Sequence, residues 1–155
     1  QRNKVKAILP FVQSIQSLDR MVLAKEIVKE SQKIEAENDK IRNWDLLLEV
    51  HTAEDSKNGF KKKDEIWACI DYLLEEAEKN NWAKLQVQGF MTMAPFTNDE
   101  KKIRTSFQSL KKIQEEAKIR YPNLSFPVLS MGMTNDYEIA IEEGATMLRI
   151  GSALF

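Results

Sequence analysis

The fold is decided by the stretch Trp44-Asp45-Leu46-Leu47-Leu48-Glu49-Val50-His51. Its apolar run does not alternate with polar residues, which is typical of a strand covered on both faces in a parallel sheet. On both sides of this stretch, similar short apolar runs alternate along the chain with amphipathic helical patterns. We predict strands at residues 11–16, 44–51, 85–93, 128–131 and 146–150. This alternation indicates an α/β fold with a parallel sheet.

Four helices are predicted between these strands. The first runs over residues 19–38 and the second over residues 64–79, where Ile66, Ile70 and Leu73 recur at helical spacing. Asp99 is expected to cap a third helix that ends near residue 120. A short fourth helix is expected to begin at Asn135 or Asp136 and to end at Gly144.

Two architectures fit this order of elements. One is an open doubly wound sheet and the other is part of a (β/α)₈ barrel. The 155 residues suit one domain, spanning residues 1–155, but a complete barrel needs about 200–250 residues. In both architectures the ligand site lies at the carboxyl ends of the strands.

Composition excludes several classes of function. The 23 Lys+Arg and 24 Asp+Glu leave a net charge of −1, which argues against a nucleic-acid partner. No stretch approaches the roughly 20 apolar residues that cross a bilayer. A single cysteine and a single histidine exclude an internal disulfide and most zinc sites. We therefore expect a soluble, cytoplasmic protein with no metal site, no membrane contact and no nucleic-acid partner.

Small polar residues collect where the last two predicted strands end. Gly151 and Ser152 follow the last strand and could present backbone N–H groups to an anion, with Arg149 two residues earlier. Ser130 and the Gly132 backbone follow the preceding strand. Barrels often hold phosphate on the loops after their last two strands. The alternatives are that Gly151 lies in an ordinary turn, and that Met131 and Met133 pack beneath the other loop while Asn135 caps a helix.

The remaining candidates are weaker. His51, at a strand end, could be an acid or base, because histidine titrates near neutrality, or a hydrogen-bonded structural residue. Cys69 lies in the middle of a helix and is expected to be a small core side chain.

Several segments together resemble the pyridoxal phosphate homeostasis protein family. They are Gln1-Arg2-Asn3-Lys4-Val5-Lys6, Gln16-Ser17-Leu18-Asp19, Glu54-Asp55-Ser56-Lys57-Asn58-Gly59-Phe60, Gly89-Phe90-Met91-Thr92-Met93-Ala94-Pro95, Ser130-Met131-Gly132-Met133-Thr134-Asn135-Asp136 and Leu148-Arg149-Ile150-Gly151-Ser152-Ala153-Leu154-Phe155. Their order and spacing match the family along the whole chain. The resemblance favours the barrel: a partial (β/α)₈ TIM barrel like the N-terminal domain of alanine racemase, without its first three βα units.

The resemblance also implies a cofactor and a function. The family binds pyridoxal 5′-phosphate (PLP), a form of vitamin B6, as a Schiff base. By resemblance, Ser130, Gly151 and Ser152 hold the phosphate, Met133 lines the pocket and Arg149 faces the pyridine nitrogen. A cation there discourages protonation of the ring nitrogen, so a non-catalytic carrier or regulator in PLP homeostasis is expected, not an enzyme. Its partners would be PLP and PLP-dependent apo-enzymes.

The chain departs from the family pattern in three respects. The family's Schiff-base lysine lies at the end of its first strand, so we expect it upstream of Gln1. His51 replaces an asparagine, and Thr134 replaces a serine. The alternatives are a racemase-like PLP enzyme and a fragment that binds no cofactor. A full-length protein is expected to be a monomer, whereas a true fragment is expected to associate through its open sheet edges.

Overall fold

The computed structural model describes residues 2–37, 43–53, 58–79 and 85–154. Within these residues, a parallel sheet has four strands in the order β1-β2-β3-β4. The strands are β1 (Ser14–Leu18), β2 (Trp44–Glu49), β3 (Leu85–Met91) and β4 (Val128–Ser130). The helices are α1 (Val5–Ile8), α2 (Met21–Glu37), α3 (Lys63–Lys79), α4 (Glu100–Arg120) and α5 (Tyr137–Glu142). The predicted α/β class is confirmed. Most of the predicted Glu54–Phe60 loop, residues 54–57, lies outside the described residues.

The central strand β2 is covered on both faces, as its sequence predicts. Leu46, Leu47 and Leu48 are all buried, and so is Glu49 at the carboxyl end. Strands β1 and β3 pair with β2 on either side. A charged side chain in such a position requires a polar neighbourhood, because burying an isolated charge is costly. The burial of Glu49 therefore indicates that the carboxyl end of the sheet contains polar groups.

The helices cover the sheet with the apolar stripes that their spacing predicts. In α3, Ile66, Ile70 and Leu73 are buried, and the nearby Cys69 thiol is also buried, which raises its pKa to about 12. In α4, the side chain of Asp99 accepts hydrogen bonds from the backbone N–H groups of Lys101 and Lys102. The predicted cap of this helix and the core role of Cys69 are confirmed.

The first strand begins and ends later in the chain than the predicted residues 11–16. The structure has β1 at Ser14–Leu18, whereas residues 9–11 form a 3₁₀ turn that includes Pro10. Phe11 is 86% exposed and makes no part of the core. The register is set instead by Ile15 and Leu18, which pair with Leu46 and Leu48 of β2. The start of β1 is therefore set by which residues reach the core, and alternation of polar and apolar residues cannot predict that.

The predicted fifth strand at residues 146–150 is wrong as a regular strand. A single bridge pairs Ser130 with Met147, and Met131 N–H donates to the Met147 carbonyl. A parallel ladder would next pair Arg149 N–H with the carbonyl of Met131. The N–H of Arg149 instead donates to the carbonyl of Gly132, which has a φ of +92°. The positive φ at Gly132 interrupts the pairing and leaves residues 148–150 as an arm outside the regular ladder, beside β4.

The sheet is strongly curved. Strands β1 and β4 are separated by two strands, which in a flat sheet would put them about 14 Å apart. Nevertheless, the side chains of Gln16 in β1 and Ser130 in β4 are joined by a hydrogen bond of 2.8 Å. A serine and a glutamine side chain can span this separation only on the concave face of a curled sheet. The structure is therefore a partial barrel wall.

Close approach of β3 and β4 depends on Gly89. A Cβ atom added there would lie 1.9 Å from the carbonyl oxygen of Val128, and the residue has a φ of +153°. Pairing continues past the glycine through Phe90 with Leu129 and Met91 with Ser130. Gly89 therefore allows β4 to join the sheet and brings Ser130 to its carboxyl end.

Among the helices that the structure describes, none has the length and apolarity to span a membrane.

Candidate functional site at the carboxyl ends of the strands

Arg149 lies at the centre of the carboxyl-terminal edge of the sheet. Its Nη1 donates to Ser130 Oγ at 3.0 Å, and its Nη2 donates to the carbonyl of Thr92 at 2.9 Å. Ser130 ends β4, and Thr92 directly follows β3. The arm of residues 148–150 therefore brings a guanidinium across two strand ends. The structure thus brings Arg149 and Ser130, two of the predicted site residues, into direct contact.

Burial and nearby charge shape the electrostatics of this site. Burial of the Arg149 side chain lowers its pKa, while the carboxylates of Asp136 and Glu49 raise it. Because free arginine has a pKa above 12, the guanidinium remains charged. Burial also raises the pKa of Glu49, with a further increase from Asp19, and the cations Arg149 and Arg20 oppose this shift. The strand ends thus hold a half-buried cation with acidic groups nearby.

A second group of polar atoms lies at Gly151 and Ser152. The hydroxyl of Ser152 donates to Thr134 Oγ1 at 3.2 Å. In this part of the described chain, the backbone N–H groups of Gly151 and Ser152 have no hydrogen-bond acceptor. A Cβ atom added to Gly151 would meet no atom within 4 Å. Two exposed N–H groups and two adjacent hydroxyls can together coordinate an anion.

The loop that carries Thr134 is braced by Asp136. Asp136 is the N-cap residue of α5, as one of the two predicted alternatives had it, but its side chain makes no cap hydrogen bond. Its Oδ1 instead accepts from the backbone N–H of Met133 at 2.6 Å. This bond closes the turn between β4 and α5 and leaves Met133 at the surface of the site, 37% exposed.

The predicted site residues separate into two groups. Ser130 is fully buried, and its hydroxyl is bonded to Gln16 and Arg149. Ser152 is exposed and bonded to Thr134. Thr134 and Gln16 were not among the predicted site residues. In the sequence, Thr134 stands out only because it replaces the family's serine, and Gln16 only because it opens a segment that resembles the family.

His51 and a cleft at the other end of the sheet do not belong to these groups. The backbone N–H of His51 donates to the carbonyl of Phe60, which folds the loop after β2 back onto the strand end. The cleft has a volume of about 880 Å³ and is lined by residues 10–13, Asn43, Asp45 and Gln86. It lies at the amino-terminal ends of the strands, opposite Arg149.

These features define part of an α/β barrel with a candidate site at the carboxyl ends of its strands. The chain belongs to the alanine racemase N-terminal domain family, whose sequence profile matches residues 7–155. It is 37% identical over 155 residues to the pyridoxal phosphate homeostasis protein of Aquifex aeolicus, and 36% identical over 159 residues to that of Helicobacter pylori strain 26695. All of the chain is covered, but only 62% and 63% of these relatives. The predicted family resemblance is confirmed.

A solved structure shows the same fold. PipY of Synechococcus elongatus PCC7942, determined with PLP bound, superposes with a TM-score of 0.80 at 24% identity. The superposition covers 100% of this chain and 66% of PipY. At this identity the likeness establishes the fold, and the assignment to a partial barrel of the alanine racemase type follows.

The residues at the strand ends fit a phosphorylated pyridine. The open backbone at Gly151 and the unbonded N–H groups beside two hydroxyls suit a phosphate dianion. The guanidinium of Arg149 has five N–H donors. Its bonds to Ser130 and to the Thr92 carbonyl use two of them, so further N–H donors could face a ring nitrogen. The donor set therefore agrees with PLP.

Proposed function

We propose that the protein to which this chain belongs binds PLP and acts in PLP homeostasis as a non-catalytic carrier or regulator. The observation that carries the proposal is the fixed guanidinium of Arg149, held by Ser130 and the Thr92 carbonyl near an N–H-rich turn. The names of the relatives and the PLP bound to PipY support it. Residues 1–155 would form part of one PLP-binding barrel domain.

Each group of residues has a separate task in this proposal. The N–H groups of Gly151 and Ser152, with the hydroxyls of Ser152 and Thr134, would hold the phosphate. Met133 would line the pocket. The transferred assignment of Ser130 to the phosphate remains a prediction, and its bond to Arg149 gives it a second task in orienting the guanidinium.

Arg149 would also limit the chemistry of the site. When bound, PLP supplies an aldehyde and an electron-accepting ring. The Nη atoms of Arg149 keep their protons at neutral pH, so they donate hydrogen bonds without transferring a proton. In this position the guanidinium of Arg149 would disfavour protonation of a facing ring nitrogen, which would weaken the ring as an electron sink. This supports a carrier over a racemase.

The lysine that would hold the cofactor covalently is proposed to lie in a part of the protein outside residues 1–155. Borohydride reduction of the intact protein with PLP, followed by peptide mapping, locates it. We expect the label on a peptide from outside this chain. A label on a lysine within residues 1–155 would contradict this part of the proposal.

The role of Arg149 is tested by the absorption spectrum of PLP bound to the intact protein. We expect Arg149→Gln to shift the absorption maximum, because a neutral amide replaces the cation beside the ring nitrogen. Arg120→Gln is the matched control, since Arg120 ends α4 with an exposed side chain. Identical spectra for wild type and Arg149→Gln would contradict the assignment.

The non-catalytic role is tested with L-alanine and other racemisable amino acids. We expect the intact, PLP-loaded protein to form the D-enantiomer no faster than free PLP does at the same concentration. Turnover above that rate would favour a racemase-like enzyme.

Cytoplasmic location, a monomeric state and transfer of PLP to apo-enzymes are further parts of the proposal.

A further inference from the structure

Gln16 reaches the Arg149 site from the opposite edge of the sheet. It lies in β1, and its Oε1 accepts the Ser130 hydroxyl at 2.8 Å. Ser130 in turn accepts Arg149 Nη1 at 3.0 Å. These two bonds form a chain across the concave face that joins β1, β4 and the arm of residues 148–150.

The direction of each hydrogen bond follows from the chemistry of the three groups. A guanidinium only donates, so the Ser130 oxygen must accept from Arg149. The Ser130 hydroxyl has one hydrogen, and it is fully buried. An acceptor for that hydrogen is therefore needed inside the protein, because an unmade buried hydrogen bond costs about 1–3 kcal/mol. The amide oxygen of Gln16 is that acceptor, and it turns the Ser130 lone pairs toward Arg149.

The second bond of Arg149 fixes the plane of the guanidinium. Nη2 donates to the backbone carbonyl of Thr92 at 2.9 Å, and this carbonyl follows β3. With both terminal nitrogens bonded to different strands, rotation about the Nε–Cζ bond breaks at least one hydrogen bond. If Gln16 is removed, the Ser130 hydroxyl has no fixed orientation and the Nη1 anchor weakens.

We propose that Gln16 is a positioning residue that orients Arg149 through Ser130. The consequence for PLP rests on the proposed function, in which Arg149 faces the ring nitrogen. The orientation of the guanidinium itself does not depend on it. The two can therefore be tested separately in the same intact protein.

The orientation of Arg149 can be measured by NMR of its guanidinium N–H groups without PLP. Arg149→Lys identifies its signals by their loss. In wild type we expect separately resolved Nη signals, because rotation about Nε–Cζ is slow. In Gln16→Leu we expect these signals to merge or broaden. Gln16→Glu retains an acceptor oxygen and is expected to restore resolved signals.

Gln88→Leu is the matched control. Gln88 is also a half-buried strand glutamine with side-chain hydrogen bonds, but its partners are Asp45 and Gln86. It should leave the Arg149 signals unchanged. If Gln16→Leu does not fold, Ser130→Ala tests the same chain and should also merge the signals. Signals already merged in wild type, or unchanged in the variants, would overturn the proposal.

Adding PLP separates the two proposals. If both hold, Gln16→Leu shifts the absorption maximum of bound PLP in the same direction as Arg149→Gln, but by less. If the arginine signals change as expected while wild type binds no PLP, the proposed function fails and the positioning role stands. If PLP binds normally while Gln16→Leu alters neither readout, the positioning role fails and the function stands.

Discussion

At the scale of single residues, the most informative side chain is a buried acid. Glu49 ends β2, is only 4% exposed and has its pKa raised chiefly by burial and then by Asp19. The nearby cations Arg149 and Arg20 lower the pKa again without restoring its usual value. The protein therefore retains a carboxylate where a neutral amide would be easier to bury, which is typical of a site shaped for charge.

We expect Glu49→Gln to raise the thermal midpoint of unfolding at pH 7. A carboxyl whose pKa is raised in the folded protein binds its proton more tightly there than in the unfolded chain. Its contribution is thus most favourable below the unfolded pKa of about 4.3 and is lost as pH rises through the folded pKa. The gain from Glu49→Gln should accordingly be largest at neutral pH and shrink toward pH 4.

Thermal melts of wild type and Glu49→Gln between pH 4 and pH 8 provide the measurement. Glu116→Gln is a suitable control, because Glu116 is a carboxylate on α4, outside the site, and pairs with Lys63 at the surface. A difference between wild type and Glu49→Gln that does not vary with pH would refute this assignment of the pKa shift.

At the scale of secondary-structure elements, the junction of β3 and β4 depends on one missing side chain. Gly89 allows the Val128 carbonyl to approach, and β4 then presents Ser130 and the Thr134 loop. A glycine within a strand often marks such a close approach of another backbone. The polar atoms of the site therefore depend on a backbone contact between β3 and β4 that lies earlier along both strands.

Gly89→Ala is expected to destabilise the protein by about 3 kcal/mol or more, because the Cβ atom cannot fit without parting the strands. Gly151→Ala is the matched comparison, since its added Cβ meets nothing within 4 Å. It should change the free energy of unfolding by less than about 1 kcal/mol. Under the proposed function it should still weaken PLP binding, by crowding the phosphate. Denaturant unfolding measures the first effect and PLP titration the second.

These outcomes separate packing from binding. A mild effect of Gly89→Ala on unfolding would show that β4 does not rely on the close approach. Equal PLP affinity in Gly151→Ala and wild type would argue against a phosphate at that turn.

At the scale of the whole molecule, the sheet of this chain has β1 and β4 at its edges within the described residues. Unpaired strand edges favour pairing with another chain. We therefore expect residues 1–155, expressed alone, to self-associate at concentrations where the intact protein stays monomeric. Light scattering coupled to size-exclusion chromatography compares the two. A stable monomer of residues 1–155 would contradict the expectation, as would an oligomeric intact protein.

Much of the fold could be predicted because its signals are local. The apolar run of β2, the buried stripe of α3 and the cap at Asp99 each depend on spacing along a few residues, and the structure confirms them. The limits of β1 and the arm after Met147 could not be predicted in the same way. Phe11 matches a strand pattern but lacks a core to pack against, and the bend at Gly132 redirects the Arg149 N–H.

The candidate site divides along the same line. The sequence indicated that Ser130 and Thr92 lie where β4 and β3 end, because in a parallel sheet neighbouring strands bring their carboxyl ends to one edge. Which of them touch was decided only by the tertiary structure. The curl of the sheet joins Gln16 to Ser130, and the hydroxyl of Ser152 meets that of Thr134 from a different loop. Such contacts depend on distances between residues up to 114 positions apart, which no local pattern encodes.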